Sequence, residues 1–180
     1  MTAEIVRHLT LQELQAGLHP IRQSPQDAGR LDAIVIRPAQ GQRDIVQRAE
    51  ISLEHGVHGD RWEHAPHKSI EAQVTLMNSR AVELIAQSAD RWALAGDQLY
   101  VDFDLSEDNV PAGTLLAVGS VVLEASAKDH TGCAKFSAYF GADAFKFVNS
   151  PEGARLNLRG INAKVIKAGV VHVGDTLRKI

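Results

Sequence analysis

From residue 31 onward the chain is cut into short apolar runs, each closed by a glycine or proline turn. The clearest is 99–105, where Leu99, Val101, Phe103 and Leu105 alternate with Tyr100, Asp102 and Asp104. A period of two belongs to a half-buried strand. Residues 31–37, with β-branched Ile34, Val35 and Ile36, read as another strand, as do 72–76, 115–118, 120–127, 161–167 and 170–179. Residues 43–53 alternate loosely and are expected to return as the second arm of a hairpin. Many short strands with few helices imply a β-rich α+β fold, closed as a barrel or stacked as a sandwich.

The helices are few. Residues 9–18 carry leucines at helical spacing behind a Thr10/Glu13 capping box, and His19-Pro20 is expected to end that helix. Asn78 is placed to cap a helix over 78–88. Two short helices are expected at 134–140 and 143–148, parted by Gly141, and a turn at Pro151-Glu152-Gly153. This gives an N-terminal helix and linker over 1–30 and one β domain over 31–180.

Composition narrows the function classes. Nineteen Lys and Arg against 22 Asp and Glu leave a net charge of −3. That sign argues against a surface built for a phosphate backbone, and 5% aromatic residues argue against a base-stacking platform. No run reaches the roughly 20 apolar residues of a membrane helix, and the N-terminus lacks a signal-peptide pattern. Nucleic acid and membrane are therefore not expected as partners. The single cysteine excludes an intrachain disulfide and an iron–sulfur cluster, and suits the cytoplasm.

That cysteine is the leading candidate for chemistry. Cys133 follows a predicted strand and opens a predicted helix, flanked by His130 and Lys135. Helix dipole and nearby positive charge favour thiolate, the form that attacks electrophiles and binds soft metals. The alternative is a small apolar residue in a core. His55, His58, His64 and His67 gather with Asp60 in one loop, but its glycines and proline break any helix that would align the rings, so zinc is not expected there. Arg155, Arg159, Asn162 and Lys164 have the chemistry to grip phosphate or pterin edges, or form a charged strand rim. The acidic stretch 102–108 reads as a strand face, and Gly96-Asp97-Gln98 as a hairpin turn.

Taken in order, Gly56-Val57-His58-Gly59-Asp60-Arg61, Gly96-Asp97-Gln98-Leu99, the strand at 120–127, His130-Thr131-Gly132-Cys133-Ala134-Lys135-Phe136 and Val171-His172-Val173-Gly174-Asp175 resemble the MOSC-domain proteins, relatives of the C-terminal domain of molybdenum-cofactor sulfurase. The resemblance covers roughly residues 30–180 and implies a β-barrel with a few peripheral helices, as in small stand-alone bacterial members. It implies that Cys133 handles sulfur or binds molybdenum. Active relatives reduce N-hydroxylated compounds with a molybdenum–pterin cofactor, independent of pyridoxal phosphate; others are associated with sulfur transfer.

On that reading Cys133 is the metal ligand, with His130, Lys135 and Asp60 as proton relays. The chemistry of Arg155, Arg159, Asn162 and Lys164 suits the pterin phosphate. The chain lacks the second barrel and iron–sulfur module of larger reductases, so a separate protein is expected to supply electrons. The alternatives are a sulfur carrier using a Cys133 persulfide from a donor protein, or a non-catalytic module for a small ligand. Where the family often has proline before the cysteine, this chain has Gly132.

Overall fold

The computed structural model describes residues 6–180. Strands β1 (Ala28–Ile36), β2 (Asp44–Val46), β3 (Arg48–Ser52), β4 (Gly56–Val57), β5 (Val74–Asn78) and β6 (Leu99–Asp102) occupy the first half. Strands β7 (Leu115–Val118), β8 (Val121–Ala125), β9 (Ile161–Lys167), β10 (Gly169–His172) and β11 (Thr176–Lys179) occupy the second. Around them lie α1 (Leu11–Ala16), α2 (Leu18–Arg22), α3 (Ser79–Ala86), α4 (Ala134–Phe140), α5 (Ala142–Asn149) and α6 (Pro151–Arg155).

Seven strands close into a barrel in the order β1-β11-β7-β8-β9-β5-β6 and back to β1. Closure removes the exposed edges that an open sheet would present. Among the described residues, only β5 and β6 pair in parallel. Parallel pairing demands a crossover, and α3 with the 3-10 turn Ala89–Ala95 supplies it. The loose run 43–53 splits: β2 pairs with β1 as the expected hairpin arm, but β3 leaves the barrel to join β4 and β10 in a small separate sheet.

Strand periodicity sorts the side chains into two cores. Leu31, Ile34, Leu76, Leu99, Val101, Leu123 and Val165 point into the barrel. Their neighbours Val35, Met77 and Tyr100 point outward, into a second core with Leu14, Leu18, Val82, Phe136 and Phe147 from the helices. The 99–102 strand is therefore buried on both faces, not one. The Tyr100 hydroxyl enters this layer at no cost because it donates to the Trp92 carbonyl at 2.8 Å.

The N-terminal helix is shorter than expected. The Thr10/Glu13 capping box forms, but the helix is interrupted at Gly17, where the chain passes so close to Leu84 that a Cβ would lie 2.4 Å from its Cδ1. The chain then turns into α2, where Pro20 sits in the first turn and its missing N–H costs nothing. His19-Pro20 thus lies inside a helix instead of ending one. Residues 151–153 likewise open α6, with Pro151 at its first position and Ser150 accepting from the Gly153 amide.

The doubly covered wall is testable. Leu76→Ala and Met77→Ala, on opposite faces of β5, are both expected to cost about 2–5 kcal/mol in urea unfolding. A loss for Met77→Ala within the ±0.5 kcal/mol or so usual for surface changes would contradict the second core.

Candidate functional site

The site lies at the barrel end where β1 stops and β6 and β9 begin. Four segments meet there: Arg37 after β1, the 95–97 turn before β6, the 128–133 loop before α4, and Arg159 before β9. They enclose a cleft of about 170 Å³ lined by Arg37, Arg43, Arg61, His130, Cys133, Lys135, Phe136 and Arg159, among others.

Its floor is ionic. Asp97 is fully buried, with Oδ1 2.8 Å from His130 Nε2 and Oδ2 accepting from Arg159 Nη1. Arg159 also donates to the Ala95 carbonyl at 2.8 Å and stacks on Phe136, its guanidinium carbon 5.1 Å from the ring centroid. Burial alone would raise the Asp97 carboxyl, but the charges of Arg159 and His130 outweigh it and hold the group below the usual carboxylate range. Beneath the turn, the Tyr100 hydroxyl accepts from the Asp97 amide at 3.3 Å. Burial first, then the Asp97 charge, raise that phenol and keep it neutral.

A second ionic pair braces the same turn. Arg37 grips Asp60 through Nε at 2.8 Å and Nη2 at 2.9 Å, and reaches the Gly96 carbonyl through Nη1 at 2.8 Å. Asp60 also accepts from the Arg37 and Trp62 amides, at 3.0 and 2.9 Å. Burial would raise this carboxyl too, but Arg37 and the amides overcome it and keep it ionised. Asp60 is thus a buried anchor behind Arg37, with its oxygens committed, and does not line the cleft.

The cleft carries positive charge despite the acidic chain. Asp60 and Asp97 are spent on Arg37 and Arg159. Among the described residues, Arg43, Arg61 and Lys135 have no acidic partner. Arg43 lies over Tyr139 at 5.2 Å. Low-dielectric walls focus such a field on an entering anion.

Cys133 is exposed, caps α4 with its backbone, and makes no side-chain hydrogen bond there. Its position is set by the residue before it. Asn149, ending α5, accepts from the Gly132 amide at 2.9 Å and donates to the Gly132 carbonyl at 3.3 Å. A Cβ on residue 132 would lie 2.9 Å from Val148 Cγ2 and 3.1 Å from Asn149 Nδ2. A proline has no N–H to donate and cannot enter this clasp, and the crowding at Cβ favours glycine over other residues.

Of the residues expected from the sequence, Cys133, His130, Lys135 and Arg159 meet at this cleft. Arg155, Asn162 and Lys164 do not. Arg155 pairs with Asp108 at 3.1 Å on the surface, and Lys164 pairs across strands with Glu124 at 2.9 Å. Asn162 is buried, donating to the carbonyls of Lys128 and Asp129 at 3.1 Å each, and so ties down the loop before His130.

In the histidine loop His55 and His58 pack edge to face, ring centroids 5.1 Å apart, and each is taken up by a neighbour. His55 pairs with Glu63 at 2.5 Å and His58 with Ser52 at 2.9 Å, and no group of three metal-type ligands occurs among the described residues. Sequence reasoning missed Arg37, Arg43 and the role of Asp97. The last stood in a quoted motif but was read as a turn.

The MOSC domain matches residues 54–178, which spans both the Asp60 and the Asp97–His130–Arg159 clusters. The chain belongs to the MOSC-domain family. Solved structures show this MOSC fold at low identity. The YuaD protein from Bacillus subtilis is 13% identical with a TM-score of 0.61, covering 83% of this chain and 94% of that one. YiiM from Escherichia coli is 18% identical at 0.57, covering 84% and 69%. YiiM from Geobacillus stearothermophilus is 14% identical at 0.59, covering 84% and 75%. No curated protein matches the chain.

Because Asp60 and Asp97 ionise more easily folded than unfolded, their stabilisation is full above the unfolded carboxylate range, about pH 4. It is lost as pH falls through the folded values. Asp60→Asn is therefore expected to be less stable than wild type at neutral pH and to lose less further stability on acidification below about pH 4. Parallel stability–pH curves for the two proteins would refute the assignment.

Proposed function

We propose that this MOSC protein binds a molybdenum–pterin cofactor through Cys133 and takes part in reducing N-hydroxylated compounds. One observation carries the reading: the exposed Cys133 thiol stands on the wall of a cleft whose unneutralised cations are Arg43, Arg61 and Lys135. A soft sulfur beside fixed positive charge suits a group that joins a thiophilic metal to a phosphate.

The donor set fits that group. Cys133 offers an exposed sulfur that caps no backbone group and would bind as the thiolate once its proton is lost. Arg43, Arg61 and Lys135 offer charge to the anionic part, while Arg159, held by Asp97, adds a fixed guanidinium at the floor. A cleft of about 170 Å³ is smaller than the roughly 300–1,000 Å³ of sites that enclose a whole ligand, so it suits the anionic portion. When bound, the group supplies a metal centre able to exchange electrons with a substrate oxygen.

The protein's own residues do the rest. The cations would hold and orient the anion, Phe136 shields one side of Arg159, and His130 and Lys135, which line the cleft, would supply the protons as oxygen leaves as water. Electrons come from a separate donor protein. A sulfur-carrier role would use the same exposed thiol, with a persulfide and no metal.

The test is elemental and pterin analysis after expression in a molybdenum-competent host. Molybdenum is expected in wild type and lost, at least about tenfold, in Cys133→Ser. Equal molybdenum in both, or none in either, removes the reading. A gain of one sulfur after incubation with a cysteine desulfurase would then favour the carrier.

A further inference from the structure

His130 borders three adjoining clefts: the Cys133 cleft and two neighbours of about 310 and 390 Å³. Which ring nitrogen it offers them depends on the group behind it. Asp97 is an ionised carboxylate, so it accepts only, and the nitrogen facing it at 2.8 Å must carry hydrogen. That nitrogen is Nε2. Nδ1 has no protein partner, and it is not among the buried unpartnered atoms, so it is open to a ligand.

We infer that Asp97 is a positioning residue: one oxygen fixes His130 so that its neutral ring keeps Nδ1 as an open acceptor on the cleft wall, and the other fixes Arg159 as the guanidinium of the floor. The inference rests on the proposed ligand site for its consequence, but not for its geometry. It needs both carboxylate oxygens. Arg159 has donors only, so it must keep an oxygen. An amide at position 97 has one oxygen and one NH₂. Arg159, the charged donor, keeps the oxygen, and the NH₂ turns to His130. The ring must then accept at Nε2 and carry its hydrogen on Nδ1. Replacing Asp97 by Asn therefore inverts the tautomer and presents the clefts with a donor in place of an acceptor.

The experiment is ¹⁵N NMR of the histidine rings at alkaline pH, with His130 assigned by His130→Gln. Wild type is expected to show Nε2 protonated and Nδ1 as acceptor; the reverse assignment overturns the proposal. Folded Asp97→Asn is expected to show the inverted tautomer, and an unchanged one overturns the proposal. If Asp97→Asn does not fold, the wild-type spectrum decides alone. From a molybdenum-competent host, Asp97→Asn is expected to retain about tenfold less molybdenum than wild type. Equal retention, where wild type binds metal, overturns the positioning role. An inverted tautomer with no metal in either protein supports the role of Asp97 and removes the cofactor reading instead.

Discussion

The fully buried carboxylate of Asp97 is the interaction on which the functional end of this barrel depends. It joins three segments far apart in sequence: its own turn before β6, the loop carrying His130, and Arg159 before β9. Arg159 is buried and would be costly to bury without a counter-charge, and the carboxylate supplies it while also holding the partly buried ring of His130. Arg37 with Asp60 repeats the device one layer out and grips the same turn through the Gly96 carbonyl. The cleft is therefore shaped by ion pairs that use up its carboxylates and leave positive charge on its wall.

The barrel and the helices serve this end in different ways. The barrel interior fixes where β1 stops and β6 and β9 start. The helical layer fixes Cys133: Phe136 and Phe140 anchor α4 in the second core, and Asn149 at the end of α5 holds the backbone at Gly132. The thiol thus rides on the helices while its cationic surroundings ride on the barrel, and His130 joins the two through Asp97.

Much of the fold was legible in the sequence because strand periodicity and turn residues act locally. The strands near 99, 115, 121 and 161 and the Asn78 cap are of this kind. What was misread depended on tertiary contact. Tyr100 stands among aspartates and looked solvent-facing, yet helices cover it. Pro20 looked like a terminator, but a break at Gly17, packed against Leu84, restarted the helix before it. In the site, Cys133, His130 and Lys135 share one segment and were visible together. Arg37, Arg43 and Asp97 lie far from it in sequence, and nothing in their neighbours says that folding gathers them. Arg155 and Lys164 had the right chemistry but answer to Asp108 and Glu124.

The clasp between Asn149 and Gly132 has a consequence for relatives of this chain. A ring at position 132 would stiffen the approach to the sulfur by its own covalent geometry. Here the stiffness is borrowed from a neighbouring helix through two hydrogen bonds. The two solutions exclude each other, since the borrowed one needs an amide hydrogen that the ring lacks. Losing Asn149 beside Gly132 would leave the sulfur on a slack tether, whereas a ring at 132 beside Asn149 would crowd Val148 and strand the amide oxygen that the Gly132 N–H now satisfies, so the two positions are coupled.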